Sequence, residues 1–270
     1  MKTLFKISVL TLSLVGMSAL ANVAPVLRGE ITKPVHHANN ANLLTTPVAG
    51  VPSIRASISQ VKTLPTILIN ADKSGTTKLD VTLIDDLLDD LAPNARHYPT
   101  NFPNRTAEHL AGQNIKHISD WIEPYANAKD ASLDVLIRAA KINGMARNLN
   151  IGDAYSLRAN NHMAKVLKLD PNHAEANFLY GMMISEAGGF SEGKKYLDKA
   201  VNLGYVEAEQ SLAQADLLSD KKDQALSRLK ALQNKHPDNT QITEQIKIVE
   251  NGGFYIWNIA NNQLNLKPVY

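Results

Sequence analysis

The chain has 270 residues, with 28 Lys and Arg against 26 Asp and Glu, and no cysteine. Without cysteine there is no disulfide and no thiol for a lipid anchor. A net charge of +2 gives none of the strong positive field that sequence-independent nucleic-acid binding needs, and the length allows one or two domains with a real core.

Residues 1–21 read as an export leader. MKTLFK carries two lysines, ISVLTLSLV is a short apolar run, and Ala19-Leu20-Ala21 supplies the small residues that signal peptidase prefers. Spanning a hydrocarbon core takes about twenty apolar residues, more than this run offers. Cleavage is therefore expected after Ala21, giving a periplasmic or secreted protein without membrane insertion after cleavage. Loss of Lys2 and Lys6 with the leader would leave the remainder with no net charge.

Residues 22–60 form an extended or flexible lead-in, because Pro25, Pro34, Pro47 and Pro52 remove backbone donors and disfavour a long helix. Residues 61–130 combine a β-hairpin with helices. In TILINADKSGTTKLDVT two β-prone runs flank Asp72-Lys73-Ser74-Gly75, a turn that needs a positive φ at the glycine. From Leu83 the period changes: Leu83, Leu87, Leu88 and Leu91 make one helical stripe with aspartates facing away. After ARHYPTNFPN, the residues Leu110, Ile115, Ile118, Trp121 and Ile122 mark a second amphipathic helix expected to end near Glu123-Pro124.

Residues 131–251 read as helix following helix, with Gly252-Gly253 as the stop. Within them LKLDPNHAEANFLYG is echoed by ALQNKHPDNTQI. In each, a helical run ends at proline (Pro171, Pro237), and Asn172 or Asp238 is expected as the next N-cap, with Glu175 or Gln241 three residues on. The spacing of these marks gives a unit of about 34 residues. Its best copy, from Ala174 to Tyr205, carries Tyr180-Gly181, Ile184, Gly188, Phe190, Gly193, Leu197 and Ala200 in order. The next copy offers Leu212-Ala213, Ala225, Leu229, Leu232 and Pro237. An earlier one offers Asn143-Gly144, Ala159, Met163, Val166 and Pro171.

These positions resemble the signature of tetratricopeptide repeat (TPR) proteins, and the whole layout is similar to exported bacterial TPR proteins. Tyr205 stands where a proline is expected and Gly193 where an alanine is. The resemblance implies an all-α, TPR-like α-solenoid of helical hairpins with 240–251 as the capping helix, preceded by the small part that holds the β-hairpin. It also implies that the first helix of each hairpin lines a concave groove for a partner. Carried onto this chain, the groove residues are Arg138, Lys141 and Met145; Glu175, Phe178, Met182 and Glu186; and Glu207, Gln210, Gln214 and Leu217. Apolar area mixed with polar orienting groups suits an extended peptide or a helix. Leu179 and Met182 stand where a carboxylate clamp needs polar groups. For Phe178 and Met182 packing against a neighbouring helix is the competing reading.

No motif implies a cofactor or a metal. DKSGTT is similar to a phosphorylated pump loop but is better read as the hairpin turn, and Ser59-x-x-Lys62 lacks the domain that a serine acyl-enzyme needs. His109 and His117 lie about two helical turns apart, and the aspartates 85, 86, 89 and 90 lack the spacing of a calcium loop. In the C-terminal tail, 252–270, Phe254, Tyr255 and Trp257 either anchor a partner or fold back over the last helices; folding back is favoured. The function expected is a non-enzymatic scaffold or adaptor of the bacterial cell envelope that binds another protein or peptide through the groove. The alternative is an envelope hydrolase using Ser59 or the His97–His117 region, with the repeats serving recruitment.

Overall fold

The structure, a computed structural model, describes residues 49–54 and 64–259. The leader, Ser59, Lys62, nearly all of the lead-in and the end of the tail lie outside the described residues. Two short strands, β1 (Leu68–Asn70) and β2 (Lys78–Asp80), pair antiparallel with Ile69 opposite Leu79. Gly75 takes φ 73°, and the Asp72 carboxylate accepts the Gly75 N–H at 2.9 Å and the Thr77 N–H at 3.3 Å, so the turn is built by an aspartate capping its own loop. Those hydrogen bonds, with that of the Ser74 hydroxyl foremost, lower the Asp72 pKa to about 2.

Nine helices follow among the described residues: α1 (Thr82–Ala95), α2 (Arg105–Asn127), α3 (Leu133–Asn148), α4 (Asp153–Leu169), α5 (Ala174–Glu186), α6 (Phe190–Asn202), α7 (Glu207–Leu218), α8 (Lys222–Lys235) and α9 (Thr240–Glu250). The chain is thus mostly helical with one small sheet. Consecutive helices pair as hairpins, α3 with α4, α5 with α6, and α7 with α8, while α3 also meets α5 and α5 meets α7. The first helices of successive hairpins therefore lie side by side as one layer. Helix α1 lies across α3.

Glycines set the closest of these approaches. A Cβ on Gly181 would stand 2.8 Å from the Gly193 carbonyl oxygen and from the Leu197 backbone nitrogen, so α5 and α6 meet backbone to backbone. Leu197, Ala200, Leu229 and Leu232 are buried on the second helices of their hairpins. One apolar cluster runs from Ile54 to Leu212, and another gathers Ala213, Leu229, Ile242, Ile256 and Trp257.

Two boundaries differ from the sequence expectation. The caps fall one residue later than expected: His173 Nδ1 accepts the Ala176 N–H at 3.2 Å, and Asn239 Oδ1 accepts the Gln241 N–H at 3.1 Å. A proline leaves Asn172 and Asp238 in the preceding turn, and the helix begins once the chain has turned past it. Pro124 does not end α2, which continues to Asn127. The buried stripe of Ile118, Ile122 and Ala126 carries the helix past the one amide that proline lacks.

Candidate functional site

The layer formed by α3, α5 and α7 is where the groove residues were expected, and every one of them is engaged by the chain itself. Arg138 reaches Asp85 on α1 through two parallel hydrogen bonds, Nε and Nη2 each at 2.7 Å. Lys141 pairs with Glu175 at 2.8 Å, tying α3 to α5. Met145, Met182 and Leu217 are buried, and Phe178 is 0% exposed, its ring stacked on Tyr205 at 4.6 Å. For Phe178 and Met182 packing is thus what the fold uses them for. Gln210 donates to Gln245 of α9 at 2.9 Å. Gln214, Glu186 and Glu207 hold two segments that cross the layer, one from each flank.

The first segment is the loop after α1. Its position is fixed from below by Asn148 at the end of α3, whose amide donates to the carbonyls of Ala95 at 3.0 Å and Arg96 at 2.7 Å. Asn94 and Asn101 close the loop on each other, the Asn101 N–H donating to the Asn94 carbonyl at 2.8 Å. Arg96, His97 and Tyr98 are thereby presented to α5 and α7. His97 Nδ1 donates to Glu186 Oε1 at 2.8 Å and Nε2 donates to Glu207 Oε1 at 3.0 Å. Arg96 donates to the other oxygen of Glu207 at 2.7 Å, and the Tyr98 N–H to the other oxygen of Glu186 at 3.1 Å.

With a carboxylate at each ring nitrogen, both nitrogens must be donors, so His97 sits here as an imidazolium. Burial alone would lower its pKa, but the hydrogen bonds and charges of Glu186 and Glu207 outweigh burial and raise it. Burial would raise Glu207 in turn, and the His97 and Arg96 partners instead hold it below the usual carboxylate range.

The second segment leaves α9 at Gly252, where φ is 86°, and returns over α7. Gln214 clasps its backbone with one amide: Nε2 donates to the Phe254 carbonyl at 2.7 Å, and Oε1 accepts the Ile256 N–H at 2.9 Å. Ile256 is 0% exposed, while Phe254 and Tyr255 stand outward at 57% and 44%. The Trp257 indole lies flat on His97, centroids 3.6 Å apart and planes within 3°. Asn101 donates to the Ile259 carbonyl at 2.9 Å, so loop and tail meet over the layer. Of the three tail aromatics expected to fold back, Trp257 does so together with Ile256, while Phe254 and Tyr255 stay outward, and the tail covers α7 at Gln214.

Beside this contact an open cleft of about 490 Å³ remains, lined among others by Asp89, Arg96, His97, Glu207, Gln241 and Trp257. Arg96 Nε and Trp257 Nε1 are buried and meet no hydrogen-bond acceptor among the described residues. Of these residues the sequence places Glu207 in the groove, Gln241 in a helix cap and Asp89 on a solvated helix face, favours folding back over partner anchoring for Trp257, and marks His97 only within the region assigned to the alternative. The remaining signal was the run ARHYP itself, a charged and aromatic cluster held between a helix end and a proline.

No group of His, Asp and Glu suited to a metal ion occurs among the described residues, and none of their helices is long and apolar enough to cross a membrane. No protein-family model, curated protein or solved structure matches this chain.

Proposed function

We propose that the chain is a TPR-like helical-repeat scaffold of the bacterial cell envelope that binds another protein or peptide, and that it does so on the layer formed by α3, α5 and α7. The observation carrying this reading is the Gln214 clasp: one side-chain amide satisfies the carbonyl of Phe254 and the N–H of Ile256 on a crossing segment. A carbonyl and an amide two residues apart are backbone groups that a bound peptide offers whatever its side chains. The contact depends on backbone, so it is available to a segment from elsewhere.

The cleft beside it adds to the case. Arg96, Gln241 and Trp257 line it, so a partner segment longer than the clasp would meet further polar and aromatic groups there. Catalysis by His97 is disfavoured, because a general base needs a free lone pair and both of its nitrogens are spent on carboxylates. The TPR-like reading of the repeats rests on the hairpin pairing of α3 to α8 and on the glycine crossing at Gly181 and Gly193.

Photo-crosslinking in living cells tests the reading. A crosslinking amino acid at Gln241, on the cleft, is expected to capture a discrete envelope protein. The same residue at Leu157, 64% exposed on α4, is expected to capture none. Equal, diffuse labelling from both positions, or none from either, removes the cleft as a partner site.

A further inference from the structure

We propose that the tail segment 254–257 is a surrogate ligand bound in cis, and that the partner inserts a turn-forming segment of the same chemistry, an aliphatic residue followed directly by tryptophan or tyrosine. The inference rests on the peptide-binding reading above and adds what the peptide must look like.

Three contacts define the pattern. Gln214 holds the backbone at the carbonyl of Phe254 and the N–H of Ile256, which reads no side chain, and Ile256 and Trp257 lie in a turn whose Asn258 N–H donates to the Tyr255 carbonyl at 3.3 Å. Ile256 is wholly buried in the cluster shared with α7 and α9, so its place demands an aliphatic group. Trp257 lies parallel on His97 at 3.6 Å, and a protonated imidazole against a π face is a cation–π contact. That contact ranks tryptophan first and tyrosine next, since the negative potential of the ring face supplies the attraction. Phe254 and Tyr255 face outward and are free to vary. The surface therefore reads two adjacent side chains out of four.

The tether explains why the site is closed at rest. A cis segment on a short connection acts as ligand at an effective concentration on the order of millimolar. A free segment of equal intrinsic affinity is outcompeted until the tail is weakened or the partner carries further contacts. The open cleft beside Trp257 is where such further contacts fit.

Fluorescence anisotropy with the full chain tests this, using a labelled peptide Gly-Gly-Phe-Tyr-Ile-Trp-Asn-Ile-Ala. Trp257→Ala is expected to raise peptide affinity at least tenfold over wild type. Adding Gln214→Ala is expected to reverse that gain, and a peptide with alanine for tryptophan is expected to bind neither protein. A folded Trp257→Ala chain that binds no better than wild type, or that takes the alanine peptide equally well, overturns the proposal.

Fluorotryptophan labelling of the wild-type chain, which has two tryptophans, is a second readout independent of how the variant folds. The resonance at position 257 is expected to move toward that of a solvent-exposed indole at about millimolar peptide, the range set by the tether; a resonance that stays put counts against displacement. Peptide binding without a crosslinked envelope partner would sink only the envelope assignment. A crosslinked partner without peptide binding would sink only the surrogate.

Discussion

Replacing His97 by alanine is expected to destabilise the protein by about 3–4 kcal/mol near neutral pH, and by clearly less near pH 9. The structure sets the size. Without the imidazolium, Glu186, whose side chain is 5% exposed, keeps only the Tyr98 N–H, and Glu207 keeps only Arg96. Stripping one partner from a buried ion pair costs about 3–5 kcal/mol, and the surviving partners favour the low end. Loss of the Trp257 stack adds about 0.5–1.5 kcal/mol. The pH dependence follows from the folded pKa of His97 being raised, so the folded state binds the proton more tightly than the unfolded chain. The stabilisation is complete below the unfolded value of about 6.5 and is lost as pH rises through the folded one. His162 has the opposite sign, since burial lowers its pKa despite Glu123, but it is present in both proteins and cancels in their difference. Urea denaturation of wild type and His97→Ala at about pH 6 and about pH 9 measures that difference directly. A gap that stays constant with pH, or one under about 1 kcal/mol, would mean that the imidazolium is not what holds the loop and the carboxylates together.

Gly181→Ala is expected to cost about 1–3 kcal/mol, because its new methyl would meet the Gly193 carbonyl and the Leu197 backbone at 2.8 Å; the urea midpoint reads it. Leu229→Ala empties a fully buried site on α8 and is expected to cost about 2.7–5 kcal/mol by the same assay. Arg138→Ala is expected to cost about 1.5–3 kcal/mol by releasing Asp85, and Arg138→Lys should recover less than half of it, since an ammonium cannot make both parallel contacts. An Arg138→Lys protein as stable as wild type would show that the pairing of α1 to α3 does not depend on the guanidinium fork.

Local physics made much of this fold readable. The Asp72–Gly75 turn follows from an aspartate that caps and a glycine that takes positive φ, both visible as residue types. The stripe of Leu87, Leu88 and Leu91 and the helices that follow Ser132 follow from periodicity, and Ser132 itself caps α3 by accepting the Val135 N–H at 3.1 Å. The small residues at Gly181 and Gly193 mark a close crossing because nothing larger fits. Glu186, Glu207 and Gln214 come instead from the resemblance to TPR repeats, which implies a groove on the first helices. Neither that resemblance nor periodicity says what meets them, because periodicity describes one helix at a time.

What meets them comes from far along the chain. His97 lies 89 residues from Glu186 and 110 from Glu207, and Gln214 reaches 40 residues forward to Phe254. Each partner belongs to a segment with no helical or strand period of its own, a proline-bounded loop and an irregular tail, so neither announces its docking. The charges do carry a clue in retrospect. Two carboxylates on the apposed faces of α5 and α7 would repel unless a cation stood between them, and a layer built this way requires a positive group from elsewhere. Arg96 and His97 meet that requirement. A layer face assembled from acidic and amide groups is therefore incomplete by itself, and here Arg96, His97 and Trp257, from two segments distant in sequence, complete it.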